Sequence, residues 1–316
     1  MKSFGLGTYA LSGGVAVALL AGCGGSQSPI GKPGTMPQTA ASHMRKASSS
    51  YGDLLYVGGQ NGVFVLSYPQ GKVITQFEPP NLVQGMCSDQ SGDVFVLTTG
   101  DTGYIYEYAH GGTSPIATLE DAYFYPTACA VDPTTGNLAV VNNSDPTDLA
   151  IFADAQGTAT YYNDPSMDAM YYCAYDDSGN LFADGQYIDN PILAELPYGS
   201  SSFSSITLDK KIRRPGSMQW MGTYLALGTS KEIVYHVQVS GSSGTIVGKT
   251  VHHRLESPWT IDGNGLISVY GGGDHDYPSK VALWTYPKGG APTQLLNLFG
   301  HRSRLSGVAI SVGSEK

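Results

Sequence analysis

From residue 51 onward, short runs of large apolar and β-branched residues alternate with clusters of Gly, Asp, Asn, Ser and Pro. Runs such as Leu54-Leu-Tyr-Val57, Val94-Phe-Val-Leu97 and Leu138-Ala-Val-Val141 carry the residue types that pleated sheets favour, and each is bounded by turn formers. The pattern predicts many short strands joined by tight turns.

The strands recur with a period. Cys87-Ser-Asp89-Gln-Ser-Gly92-Asp93-Val-Phe-Val returns as Ala130-Val-Asp132-Pro-Thr-Thr-Gly136-Asn137-Leu-Ala-Val, as Ala174-Tyr-Asp176-Asp-Ser-Gly179-Asn180-Leu-Phe-Ala and as Thr260-Ile-Asp262-Gly-Asn-Gly265-Leu-Ile-Ser-Val. A degenerate copy at Met218–Leu227 and a half-copy at Tyr51–Val57 complete six units, with marker glycines 52, 92, 136, 179, 222 and 265 spaced by 40, 44, 43, 43 and 43 residues. In each unit the Asp accepts backbone N–H bonds and the Gly takes a positive φ, which makes a hairpin. A third run (Val63-Phe-Val-Leu, Tyr104-Ile-Tyr, Leu149-Ala-Ile-Phe, Ile233-Val-Tyr, Val281-Ala-Leu-Trp) and a fourth short run follow. One period is therefore a four-stranded antiparallel blade, and blades stacked radially form a propeller. The first unit lacks a strand before Gly52, and the chain ends on a spare run, Ser306-Gly-Val-Ala-Ile-Ser311. The expected fold is all-β: a six-bladed β-propeller over residues 51–312, closed by the C-terminal strand joining the first blade, with a tail at 313–316.

These residues resemble the NHL-repeat and SMP-30-like superfamily of six-bladed propellers, whose consensus is close to A-x-D-x-x-G-N-L-Y-V. They are also similar to bacterial propeller lipoproteins with Y-P-x-G turns, as in Tyr68-Pro-Gln-Gly71 and Tyr286-Pro-Lys-Gly289. The motif encodes a blade turn, so it carries fold rather than chemistry.

The N-terminus gives an address. One cation at Lys2, a mildly apolar stretch ending Val15-Ala-Val-Ala-Leu-Leu20 and small residues before a cysteine read as a signal peptide over 1–22. Leu20-Ala-Gly-Cys23 resembles the bacterial lipobox, which implies acylation of Cys23 and a membrane contact through the lipid anchor only. Gly24 in place of an acidic residue favours the outer membrane or cell surface. Residues 23–50 are rich in Gly, Ser, Pro and Thr and hold the domain on the order of 30 Å from the bilayer as a flexible tether.

Composition narrows the function. A formal net charge of −9 and the absence of a long basic run argue against nucleic acid. Charged residues are 14 %, and 41 glycines match abundant turns. After Cys23, three cysteines remain, Cys87, Cys129 and Cys173. They allow one disulfide at most, and because Cys129 and Cys173 share a strand phase that Cys87 does not, the expectation is buried free thiols.

Propeller geometry puts the Asp-x-x-Gly turns on one face. The opposite face collects the loops between second and third strands and the blade-to-blade connections. The candidate ligand face comprises Asn142, Asn143, Asp184, Asp274, His275, Tyr125 and Arg214, acidic on blades two to four (Asp121, Asp148 and Asp184 among them) and basic from blade four onward. Asn142, Asp184 and Asp274, placed at equivalent second-strand ends, form a weak candidate site for Ca²⁺ or another divalent cation. The SMP-30-like resemblance implies a lactonase with such a metal, although its early-strand Glu is missing from Gly52–Tyr68. No G-x-S-x-G, H-E-x-x-H, C-x-x-C or complete phosphate-binding G-x-x-x-x-G-K-[ST] motif is present. The expected function is a monomeric, lipid-anchored binding scaffold without catalytic residues, whose partner is an envelope protein or glycan. A metal-dependent lactonase or esterase is the alternative, and an envelope assembly factor a third reading.

Overall fold

The computed structural model describes residues 51–123, 125–144, 147–263, 265–270, 280–297 and 304–313. Cys23, the signal segment and the tether lie outside the described residues, as do Asp274 and His275. The described strands run in chain order. The first three are β1 (Leu54–Gly59), β2 (Gly62–Ser67) and β3 (Val73–Phe77); then come β4 (Leu82–Ser88), β5 (Val94–Thr99), β6 (Gly103–Tyr108) and β7 (Ala117–Asp121). Next are β8 (Pro126–Val131), β9 (Leu138–Asn142), β10 (Asp148–Phe152) and β11 (Thr160–Tyr162), followed by β12 (Ala169–Tyr175), β13 (Leu181–Tyr187), β14 (Asn190–Leu196) and β15 (Ser204–Leu208). The remainder are β16 (Pro215–Trp220), β17 (Leu225–Thr229), β18 (Ile233–Ser240), β19 (Ser243–Val251), β20 (Trp259–Asp262), β21 (Gly265–Tyr270), β22 (Lys280–Thr285), β23 (Gln294–Leu296) and β24 (Leu305–Ser311).

These strands make a propeller-like ring of four-stranded antiparallel sheets: β24-β1-β2-β3, β4-β5-β6-β7, β8-β9-β10-β11 and β20-β21-β22-β23, with an eight-stranded sheet completing it. That last sheet consists of β12-β13-β14-β15 and β16-β17-β18-β19, joined where the outer strands β15 and β19 run parallel at Thr207↔Ser243 and Leu208↔Gly244. Sequence reasoning expected separate blades here. The long strand β19 reaches across to satisfy an outer edge that would otherwise be open.

Every sheet is covered on both faces, which explains the near-continuous apolar runs. Along β1, Leu54 and Tyr56 pack with residues of β4, β5 and β6, while Leu55 and Val57 pack with residues of β21, β22 and β24. Among the described residues the apolar clusters follow one another around the ring, and one lies between the two halves of the eight-stranded sheet, with Phe182 and Leu193 against Met218 and Leu225. The inner strands approach so closely that a Cβ at Gly85 would collide with the Thr127 carbonyl oxygen, and one at Gly307 would meet Met86 Cγ at 2.9 Å.

Closure is by pairing across the termini. β24 runs antiparallel to β1, with Leu54 opposite Ser311 and Val57 opposite Val308. Side chains lock the joint: Ser88 Oγ donates to the Ile310 carbonyl at 2.6 Å and Ser306 Oγ to the Val83 carbonyl at 2.7 Å. His110, buried, bonds Ser311 Oγ at 2.6 Å and the Gly52 carbonyl at 3.1 Å.

The repeat turns form as their residues require. Asp89 Oδ1 accepts the Ser91 and Asp93 N–H groups at 2.9 and 2.8 Å, and Asp176 Oδ1 accepts those of Ser178 and Asn180 at 2.8 and 2.9 Å. Gly92 and Gly179 have φ of 86° and 80°. In the last copy Gly263 takes a positive φ of 48°, and Asp262 pairs directly with Gly265.

The free-thiol expectation is corrected for two cysteines. Cys87 and Cys129 form a disulfide across the second and third sheets, while Cys173 is free and buried. Residues in the same strand phase face the same way around the ring, so Cys129 and Cys173 cannot meet. Cys87, in the opposite phase, faces Cys129 across the shared interface, where both pack beside Phe95 and Val140. The phase mismatch was the signal for pairing.

Removing β24 by ending the chain at residue 304 is expected to abolish the cooperative thermal transition followed by circular dichroism; a transition of wild-type sharpness would show that the ring does not depend on β24. Cys87→Ser/Cys129→Ser is expected to stay folded and lose about 2–4 kcal/mol in urea melts, since the bond closes a loop with a sequence separation of 42.

Candidate functional site

A cavity opens on the face expected to bind. It is a cleft of about 560 Å³ where the starts of β12 and β16, the β13–β14 and β17–β18 turns and the connection into β20 converge. Tyr171, Gln186, Asp189, Arg214, Ser230 and Glu256 supply its aromatic, amide, charged and hydroxyl groups. A bulge between Met170 and Tyr172 leaves Tyr171 out of the β12–β13 ladder and turns it into the cleft. Equivalent register shifts occur in β4 at Val83/Gly85, in β8 at Pro126/Ala128 and in β16 at Pro215/Met218. At the cleft floor, the Tyr172 hydroxyl is pushed up to about 12 by burial, with hydrogen bonds to Ser217 and Ser257 opposing the rise.

Strained backbone gathers on this rim. Ile188, Asp189, Arg214, Glu232 and Arg254 have φ of 45°, 62°, 39°, 61° and 69°. Ile188 and Asp189 form a two-residue turn closed by the Tyr187↔Asn190 pair, in the conformation that normally calls for Asn-Gly. A β-branched residue is costly there, and the turn is held by the Ile188 N–H donating to Asp168 Oδ2 at 2.9 Å. The outcome is an exposed apolar tip, with Ile188 68 % and Tyr187 48 % exposed beside the cleft. Arg254 is held similarly: its N–H donates to Glu232 Oε1 at 2.6 Å. Strain of this kind persists where surrounding structure enforces it, and it concentrates at binding sites.

The sequence-derived residues divide. Arg214 lines the cleft. Tyr125 and Asn143 are joined to each other, the Asn143 N–H donating to the Tyr125 carbonyl at 3.1 Å, on the third sheet away from the cleft. Asp184 is not in a loop, as sequence reasoning had it. The tight Ile188-Asp189 turn lets β13 run through to Tyr187, so Asp184 sits mid-strand and fully buried. Asn142 ends β9 and is also fully buried. Asn142 shares the side of Leu138 and Val140, toward the second sheet, whereas Asp184 shares the side of Phe182, toward β16 and β17. They face different interfaces and are not brought together, and Asp274 lies outside the described residues. Among the described residues, no three His, Cys, Asp or Glu side chains cluster as metal ligands. Of the acidic residues expected on this rim, Asp121, Asp148 and Asp184 are buried, because the strands continue to the loop residues themselves, while Asp101, Glu120 and Asp189 are exposed.

Asp184 Oδ1 accepts the Tyr172 N–H at 2.9 Å and Oδ2 has no partner among the described residues. Burial raises its carboxyl well above the ordinary range, the Tyr172 bond opposing this. The folded state therefore holds a proton that the unfolded chain has released, and stability falls as pH rises above the unfolded value of about 4. Asp184→Asn keeps the acceptor for Tyr172. It is expected to match wild type at about pH 4 and exceed it at about pH 8 in urea melts; a variant less stable at the higher pH would show that the carboxylate is paired with a cation.

No family model and no curated protein matches the chain by sequence. Solved structures do match in shape. A chain from the crystal structure of a nidogen/laminin complex superposes with a TM-score of 0.65 at 13 % identity, covering 83 % of this chain and 99 % of that one. A protein of unknown function from Bacteroides caccae superposes with a TM-score of 0.59 at 12 % identity, covering 82 % and 99 %. The likeness, with the ring of antiparallel sheets, establishes a β-propeller fold.

Proposed function

We propose that the chain is a six-bladed propeller of the NHL-repeat and SMP-30-like kind, lipid-anchored through Cys23 outside the cytoplasm at the outer membrane or cell surface. It acts as a monomeric binding scaffold for an envelope protein or glycan. The six-blade count is supported by the apolar cluster between the halves of the eight-stranded sheet, whose one strand pairing with each other among the described residues is the short β15–β19 match. The observation that carries the binding reading is the cleft itself, with its mixed polar lining and the strained, exposed tip at Tyr187 and Ile188. A polar pocket of this size, within the range of roughly 300–1,000 Å³ usual for ligand sites, suits a hydrogen-bonding ligand such as a saccharide or peptide segment.

The full chain in detergent is expected to bind isolated cell-wall glycan or an envelope protein. Tyr171→Ala and Arg214→Ala should each weaken that binding at least about tenfold, or 1.4 kcal/mol. Chelator-sensitive lactone hydrolysis that disappears in Asp184→Ala would overturn the scaffold in favour of a metal-dependent lactonase. Cys23→Ser is expected to release the protein from the membrane fraction, and persistent sedimentation with membranes would count against the anchor.

A further inference from the structure

Two side chains of opposite charge line the cleft without pairing to each other. Arg214 and Asp189 both face it, and both are exposed. Among the described residues neither makes an ion pair. The backbone holds each in place at a cost. Arg214 has a φ of 39° although Pro215 follows it, a position where extended backbone is the ordinary choice. Asp189, at 62°, is the second residue of the tight turn after β13.

Tyr171 feels both charges. Burial raises its hydroxyl, the charges of Asp168, Asp184 and Asp189 add to the rise, and the Arg214 guanidinium opposes it. Of those carboxylates, Asp168 accepts the Ile188 N–H and Asp184 the Tyr172 N–H. Asp189 is the one of the three that lines the cleft. One aromatic ring thus has a cation and an anion within electrostatic reach, both open to solvent.

This arrangement selects among ligands. One carrying only an anion meets the carboxylates of Asp189 and Glu256, and one carrying only a cation meets Arg214; like charges brought together are unfavourable in either case. A ligand with both an ammonium and a carboxylate satisfies both side chains through charge-assisted hydrogen bonds. Gln186, half-buried in the same cleft, carries an amide donor and an amide acceptor, the complement of a peptide group. The volume of about 560 Å³ suits a ligand of a few residues.

We infer that the cleft takes a short zwitterionic peptide, with its carboxylate on Arg214, its ammonium on Asp189 and a peptide group against Gln186. This rests on the reading of the cleft as the ligand site and selects a peptide over a saccharide there.

The probes are dialanine and trialanine, with N-acetyl and C-amide derivatives that each remove one charge, titrated calorimetrically into the full chain in detergent. At least one of the uncapped peptides is expected to bind, and each cap to weaken it at least tenfold. Arg214→Gln should remove the difference between uncapped and amidated peptide, and Arg214→Lys should restore part of it. Asp189→Asn, which tolerates the positive φ, should remove the difference between uncapped and acetylated peptide. Caps without effect, or selectivity that survives both substitutions, would overturn the inference, as would failure of both uncapped peptides to bind. Should the peptides fail while cell-wall glycan binds and Tyr171→Ala weakens it, the cleft reading stands and the peptide assignment alone falls. When neither peptide, glycan nor envelope protein is held, both fall. Melting temperatures close to that of wild type establish that the variants are folded; where they are not, the comparison of capped with uncapped peptide on wild type decides.

Discussion

The structure depends on burying both faces of every sheet. A strand such as β1, apolar at consecutive positions Leu54 to Val57, has no solvent side, so the sheet it belongs to is stable only between two neighbours. Stacking sheets around an axis supplies a neighbour on each side, provided the last meets the first. The β24–β1 pairing makes that meeting and also completes the inner strand of the first sheet. Loop-closure entropy for joining the two ends of the ring is offset once, and the side chains of Ser88, Ser306 and His110 then hold the joint in register. The Cys87–Cys129 bond adds a covalent tie between neighbouring inner strands.

A rigid ring of this kind can enforce local conformations that an isolated hairpin would not keep. The Ile188-Asp189 turn, Arg214 and Arg254 all take backbone angles that cost free energy, and bonds to neighbouring segments hold them: the Ile188 N–H to Asp168, the Arg254 N–H to Glu232, and the Arg214 carbonyl accepting the Ser230 N–H. The inner-strand bulges have the same effect on side chains, turning Tyr171 out of its ladder and into the cleft. The cleft therefore draws its groups from both halves of the eight-stranded sheet and from the connection into β20, and its shape is a property of how those parts are stacked.

The buried acids follow from the same constraint. Because β7, β9 and β13 run on into segments whose polar composition suggests loops, Asp121, Asn142 and Asp184 are drawn between the sheets. Asp184 is accommodated with its carboxyl accepting the Tyr172 N–H and raised in pKa by burial. Asp121 and Asp148 share the amide of Asn142 and keep close tyrosine partners. Asp121, Asn142, Asp148 and Asp184, at or near strand ends, thus serve in the interfaces rather than on the rim.

Strand content, the repeat, the Asp-x-x-Gly turns and closure by the C-terminal run were legible in the sequence because each rests on local chemistry. Apolar runs, glycines that accept positive φ and aspartates that bind nearby N–H groups act over a few residues, and repetition made the pattern plain. The Cys87–Cys129 pair, the reach of β13 through Asp184, the β15–β19 junction and the meeting of Asp121 with Asn142 and Asp148 were not legible in that way. Each depends on which face a residue turns toward its neighbouring sheet, or on where a strand stops. Those are set when the sheets pack, since burying a backbone segment obliges it to pair while a solvated one of the same composition is free to form a loop.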